Sequence, residues 1–260
     1  MATEGTSESL EPPWWRQPRR RGRNRPPLSR DAIVDAALTI LDTDGVDALT
    51  IRRLGQELGT GSATLYWHIA GKDELCELVY DRIMGEIELP DPEPSRWQEQ
   101  LKDIARQAYR AMLSHNDAVR LSIGRPPAGP NTLRIVEWML AVLRGAGIPD
   151  EAAAYFGNSL GRFLDASVLE ASMPFGEGSG EPGAEETGDM MREYWARLPS
   201  DRFPNLTAVA DVTFAADTDT LFEFGLDLLV RGLAAYEVSR STPKAATPRA
   251  AAPGLGQRTK

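Results

Sequence analysis

The stretch Leu49-Thr-Ile-Arg-Arg-Leu-Gly-Gln-Glu-Leu-Gly-Thr-Gly-Ser-Ala-Thr-Leu-Tyr-Trp-His68 decides the fold. It holds two short helical patterns around a glycine-containing turn. Thr50 is placed to cap the first helix, whose inner face carries Ile51, Leu54 and Leu58, and Gly59 ends it in a left-handed conformation. The turn Thr60-Gly61-Ser62 leads to a second helix over Ala63 to His68. Two helices joined this way describe a helix-turn-helix, in which the first braces the second and the second offers its N-terminal residues to the major groove. Gly61, Ser62 and Ala63 are small enough to let that helix enter deeply. Arg52 can reach a guanine or a phosphate, and Tyr66, His68 and Lys72 offer donors to phosphates on both sides of the groove. Spacing alone also fits a small buried hairpin with Tyr66 and Trp67 as core aromatics.

Helical patterning continues on either side. Ser29 reads as the N-cap of a helix with Ile33, Ala36, Ala37, Ile40 and Leu41 at helical spacing, ending near Gly45. Gly71 breaks the chain before a helix over Lys72 to Ile87. Leu89-Pro-Asp-Pro-Glu-Pro94 has three prolines in six residues and reads as a hinge or linker. Amphipathic segments follow at Ser95–Ser114, Asn131–Ala146, Pro149–Ser172 and Asp217–Ser239, with shorter pieces at Asp189–Leu198 and Asn205–Ala210. The Gly- and Glu-rich stretch Gly176–Gly188 is expected to be a mobile loop. No alternating strand pattern and no repeat is present, so the expected fold is all-α. The domains are expected at 1–27 (a disordered basic arm), 28–88 (the helix-turn-helix), 95–239 (a larger helical domain) and 240–260 (a disordered tail).

Charge is distributed unevenly. The formal net charge is −9, which suits a nucleic-acid binder poorly. Yet residues 16–72 hold ten Lys and Arg against six Asp and Glu, whereas residues 73–239 hold 14 against 29. Phosphate should repel the acidic body, which confines DNA contact to the N-terminal part. Arg16 to Arg25 places six arginines in ten residues, either a solvated tail or an arm that enters a narrow minor groove.

Several classes of function are disfavoured. The single cysteine, Cys76, forms no intrachain disulfide or thiolate cluster and fits a reducing cytoplasm; it reads as packed rather than redox-active. Two histidines, His68 and His115, make a His-rich metal site improbable, and neither metal nor cofactor is expected. No apolar run approaches the roughly 20 residues of a membrane span, and residues 1–27 lack the apolar core of a secretory signal. His115 with Asp117 has no nucleophile nearby in sequence and reads as a cap or turn residue, so no enzyme is expected. Trp97, Trp138, Phe156 and Phe163 read as core aromatics.

The stretch Ile33 to Leu78 resembles the DNA-binding domain of the tetracycline repressor (TetR) family. The matching pieces are the helix around Ala37–Gly45, "LTIRRLGQELG" and above all "TLYWHIAGKDEL", in which Leu-Tyr-Trp-His followed by Lys-x-x-Leu is the family's signature. The likeness continues loosely to Tyr236 through "MLSHND", "GRPP", "GRFLDASVLE" and "FEFGLDLLVRGL". It implies an Ω-shaped all-α homodimer, a transcriptional regulator that a small-molecule effector releases from a palindromic operator. By matched position, Thr50, Arg52, Thr64, Tyr66, Trp67, His68 and Lys72 contact DNA, and Ser62 and Ala63 read bases. The effector pocket falls around Ile104, Ala108, Ser122, Arg125, Met139 and Glu170. The histidine that holds drug-bound magnesium in the family's tetracycline-binding members falls at Ser122, so a metal-free, more apolar effector is expected. Glu170 itself is either a pocket acid or a solvated residue. The alternative function is an all-α protein that binds or sequesters a small molecule.

The dimer interface is read from two helices. Leu221, Phe224, Leu228, Leu229 and Leu233 form one broad face of the last, with Gly225 and Gly232 two turns apart. Gly157 and Gly161, flanked by Leu160, Leu164 and Val168, show the same device. Both helices are expected to pair with their symmetry mates in a four-helix bundle; the alternative is that the glycines mark intrachain contacts only.

Overall fold

The computed structural model describes residues 28–173 and 183–239, and all their helices and turns form without a strand. The proposed arm (1–27), most of the Gly-rich stretch and the tail from 240 lie outside the described residues.

The N-terminal unit begins with α1 (Arg30–Ala48), capped by the Ser29 hydroxyl, which accepts from the Ala32 N–H at 3.1 Å. Ile33, Ala37, Ile40 and Leu41 recur at helical spacing and are fully or almost fully buried. Gly45 interrupts the helix at φ 77°, and the chain resumes helical geometry to Ala48. Helix α2 (Ile51–Glu57) is capped by Thr50 Oγ1, which accepts from the Arg53 N–H at 3.1 Å. Gly59 takes φ +59° after it, a conformation that suits glycine. Helix α3 (Ser62–Leu65) is shorter than the sequence suggests, and Tyr66 to His68 continue as turns. Leu54, Leu65 and Ile69 fill the space between these helices and α1 and have no exposed surface.

Helix α4 (Lys72–Met84) joins the two halves of the molecule. Its Leu75 and Val79 are buried in the same core as α1. The Pro-rich strap beyond it is stitched down. Trp138 Nε1 donates to the Pro90 carbonyl at 2.6 Å, and Gln100 donates to Asp91 and accepts from the Glu93 N–H, both at 2.8 Å.

The C-terminal unit comprises α5 (Trp97–Leu113), α6 (Val119–Ser122), α7 (Pro130–Gly145), α8 (Asp150–Ser172), α9 (Ala184–Ala196), α10 (Pro204–Ala215) and α11 (Thr218–Ser239). Helix α8 packs against α5, α7 and α11. Tyr109 of α5 stacks on Phe222 of α11 at 4.0 Å between centroids, and Phe163 of α8 lies beyond it at 5.6 Å. Helix α9 begins at Ala184, so the end of the expected mobile loop is helical instead. Helices α9 and α10 pack on each other, with Trp195 edge-on to Phe214 at 4.9 Å. They leave Met190, Tyr194, Val209 and Val212 exposed.

The expected dimer face is corrected in two respects. Leu233 points inward with Phe222, Leu226 and Val230, while Leu221, Phe224 and Leu228 remain exposed as a separate stripe. Gly225 faces its own chain: a Cβ there would lie 2.5 Å from the Phe163 ring, and one at Gly157 would lie 2.7 Å from Met139. Those two glycines admit intrachain neighbours rather than a second copy.

Candidate DNA interface and ligand cavity

Most of the candidate DNA contacts in and beside the helix-turn-helix are exposed. Thr50, Arg52, Ser62, Ala63, Tyr66, Trp67 and Lys72 are exposed, and Thr64 and His68 are half-buried. The buried side of the same segment explains this division. Leu65 and Ile69 point into the core, which turns Ser62 and Ala63 outward. The turn behind α3 is tied from below by Glu74, which is 5% exposed. It accepts from the Ala70 N–H and pairs with Arg30 at 3.1 Å, while Arg30 also donates to the His68 carbonyl at 3.4 Å. A charge buried this deeply is stable only when paired in this way.

The two arginines of α2 have different tasks. Arg53 pairs with Glu57 at 2.7 Å and Asp44 at 3.3 Å. Arg52 makes no ion pair among the described residues and points outward. Lys72 donates to the Val46 carbonyl at 3.2 Å, which places its ammonium at the C-terminal end of α1.

A seam of polar contacts links this unit to the C-terminal one. His115 lies 3.0 Å from Asp42 through Nδ1 and 3.0 Å from Glu86 through Nε2. Burial pushes the His115 imidazole down, but hydrogen bonds to Asp42 and Glu86 and their charges outweigh it, and the net shift is upward. Asp117 accepts from the Val46 N–H at 3.0 Å and lies against Gly45, filling the break in α1. Arg120 pairs with Asp47 at 3.0 Å. Position 115 therefore has the turn-residue role that the sequence suggests, and its partners come from the other unit.

Helix α4 extends the linkage. Its buried Asp81 caps the N-terminus of α7, accepting from the Asn131 N–H at 3.2 Å and from the Thr132 N–H and hydroxyl at 2.9 and 3.0 Å. Gly129 permits the approach, because a Cβ there would come 2.2 Å from Asp81 Oδ1.

Beside this cap lies a cavity of about 700 Å³ walled by α4 to α8. Ala108, Ser122, Arg125 and Met139 line it. Ile104 and Glu170 do not. Ile104 is one turn before Ala108 on α5 and is buried in helix packing at 6% exposure. Glu170 is five residues beyond the lining residue Asp165, about 140° further round α8, and is exposed. Glu77, Tyr80 and Met84 of α4 also line the cavity, as does Asp165. The signal for the α4 trio is their i, i+3, i+7 spacing, which marks a second face beside the one formed by Leu75 and Val79.

A helix-turn-helix presented on one side, a ligand-sized cavity on the other and a helix shared between them define a ligand-responsive DNA-binding regulator. Residues 33–79 match the family model for bacterial regulatory proteins of the tetR family, and residues 89–236 match that for the tetracyclin repressor-like C-terminal domain. The chain belongs to the TetR family. An HTH-type transcriptional regulator of Saccharopolyspora erythraea is 33% identical over 168 residues, covering 65% of this chain and 71% of that protein. The HTH-type transcriptional repressor DrrR1 of Streptomyces coeruleorubidus is 31% identical over 229 residues, covering 84% of this chain and 82% of that one. Among solved structures, Streptomyces coelicolor ActR in complex with actinorhodin is 42% identical with a TM-score of 0.75, covering 85% of this chain and 100% of that one. No helix among the described residues is long and apolar enough to cross a membrane.

Proposed function

We propose that this protein is a cytoplasmic, non-enzymatic repressor that leaves a palindromic operator when a small molecule fills the α4–α8 cavity. The observation that carries this reading is the double face of α4. The helix packs on α1 with Leu75 and Val79 fully buried, while Glu77, Tyr80 and Met84 line the cavity. An effector that prefers a shifted α4 draws the two recognition helices of a dimer away from operator spacing, to the extent of its preference for that state. Ser62 and Ala63 are the base-reading positions, Arg52 reads a base or phosphate, and Thr50, Thr64, Tyr66, Trp67, His68 and Lys72 hold the backbone. The second copy covers the exposed stripe Leu221, Phe224 and Leu228 of α11. Ala108, Ser122, Arg125 and Met139 remain as effector contacts. The complex of the similar protein ActR with actinorhodin supports a small-molecule effector for this chain. Selection of bound DNA from a random pool tests the reading: a palindrome is expected, bound at least about a thousandfold more tightly than random sequence. Equal binding to random and selected DNA at physiological salt overturns it.

A further inference from the structure

One end of the cavity is polar in a specific way. Ser122 Oγ lies 2.8 Å from the Val119 carbonyl oxygen and 2.7 Å from Asp165 Oδ1. A serine hydroxyl has one hydrogen and cannot donate to both. The arrangement closes when Asp165 carries a proton and donates to Ser122, which in turn donates to Val119. Burial pushes the Asp165 acid up against the opposing effect of Ser122, in keeping with this arrangement. The second Asp165 oxygen then remains an acceptor, and among the described residues nothing donates to it. Tyr80 lines the same cavity as Asp165, and burial above all raises its phenol. Among the described residues its hydroxyl also makes no hydrogen bond. Asp165 and Tyr80 thus offer an acceptor and a donor to a ligand, on a wall that also carries Glu77, Arg125, Thr132 and Asn158. That wall includes Met84, Met112 and Met139, whose polarizable thioethers favour aromatic partners.

We propose that Asp165, Ser122 and Tyr80 form a subsite for a ligand hydroxyl, and that the effector is a hydroxylated aromatic molecule. Its hydroxyl donates to the free Asp165 oxygen and accepts from Tyr80, while its rings lie against the methionines. A carboxylate is unsuited to this end, since it has no hydrogen to donate to the free Asp165 oxygen. The proposal rests on the reading of the cavity as the effector site and adds the chemistry that the site selects.

The test compares anthraflavic acid, a dihydroxyanthraquinone whose hydroxyls lie away from its carbonyls, with its dimethyl ether. The ether keeps the rings and loses the donors. Both are titrated into the full-length protein by calorimetry. The wild type is expected to bind the diol about tenfold more tightly, the worth of one buried hydrogen bond. Asp165→Leu should bring the two affinities within about threefold of each other while leaving the ether's affinity intact. Tyr80→Phe should weaken both compounds, because the ether oxygen also accepts from the phenol, and leave most of the preference in place. Asp165→Asn matches the protonated acid in shape, donor and acceptor and should keep the preference, whereas Asp165→Ala carries the test if Asp165→Leu does not fold and should bring the two affinities together. Equal affinities in the wild type, binding of neither compound, or a preference that survives in Asp165→Leu or Asp165→Ala overturns the proposal. The same preparations, assayed on selected DNA without ligand, test the repressor reading separately.

Discussion

The imidazole of His115 and the carboxylate of Asp42 meet at 3.0 Å across 73 residues of chain, and the other ring nitrogen meets Glu86 at the same distance. Two carboxylates can both accept only if both ring nitrogens donate, so the arrangement holds the imidazolium. The His115 side chain is 12% exposed, which limits screening by water. Because its folded pKa is raised above 6.5, the stabilisation is full below about 6.5 and is lost as pH rises through the folded value. The stability gap between wild type and His115→Ala should be widest near pH 6 and narrow towards about pH 9. Thermal melts across that range check it; a constant gap would show that His115 acts as packing only.

Asp81 makes a second prediction. It caps α7 from another helix, and loss of such a cap costs about 1–2 kcal/mol. Asp81→Ala should lower the melting temperature by a few degrees, at roughly 2–4 °C per kcal/mol for a chain of this size. Gly129→Ala should be destabilising too, since its Cβ would strike the Asp81 carboxylate. The double variant Asp81→Ala/Gly129→Ala should then melt higher than the sum of the two single losses implies, because the clash is gone. Strict additivity counts against this contact.

Positioning and readout separate at Lys72 and Arg52. Lys72→Ala should weaken binding to every DNA sequence and flatten the logarithmic salt dependence by about one unit. Arg52→Ala should cost about 1–3 kcal/mol and relax preference at one position of each half-site. The Lys72 bond to the Val46 carbonyl adds a structural component, so a modest loss of stability should accompany the first variant. Binding-site selection with each variant decides the matter, and identical sequence profiles and salt slopes would refute the assignment.

The dimer surface gives a fourth test. Phe224→Glu and Leu228→Glu should yield monomers that keep a folded helical spectrum and lose operator binding, because both side chains stand on the exposed stripe of α11. Gly225→Ala should instead destabilise the subunit through Phe163 without dissociating it. Sedimentation velocity distinguishes the two; a dimeric Phe224→Glu protein would place the interface elsewhere.

The sequence made the N-terminal unit legible because its information is local. Ser29 and Thr50 cap where their side chains suggest, and Gly45 and Gly59 break helices where a left-handed residue was needed. The C-terminal helices were legible as elements, but their partners were not. Nothing local distinguishes a glycine that admits Phe163 from one that admits a second chain, and Leu233 and Leu228 look alike until helix packing assigns their sides. The cavity was read only in part. Ser122 and Met139 line it, whereas Glu170 lies on the wrong side of α8. Asp165 was invisible as a candidate because its meaning comes from Ser122, 43 residues away.

Helix α3 is only four residues long, and of these Leu65 alone is buried while Ser62 and Ala63 face outward. The scaffold therefore asks almost nothing of the two positions proposed to read bases. Substitutions there are nearly neutral for folding, since surface changes away from packed or capping groups usually cost little. Lineages carrying this head can drift towards new operators one base pair at a time without passing through unstable intermediates. For the same reason, a library randomised at these positions should consist largely of folded proteins, differing in the DNA they select.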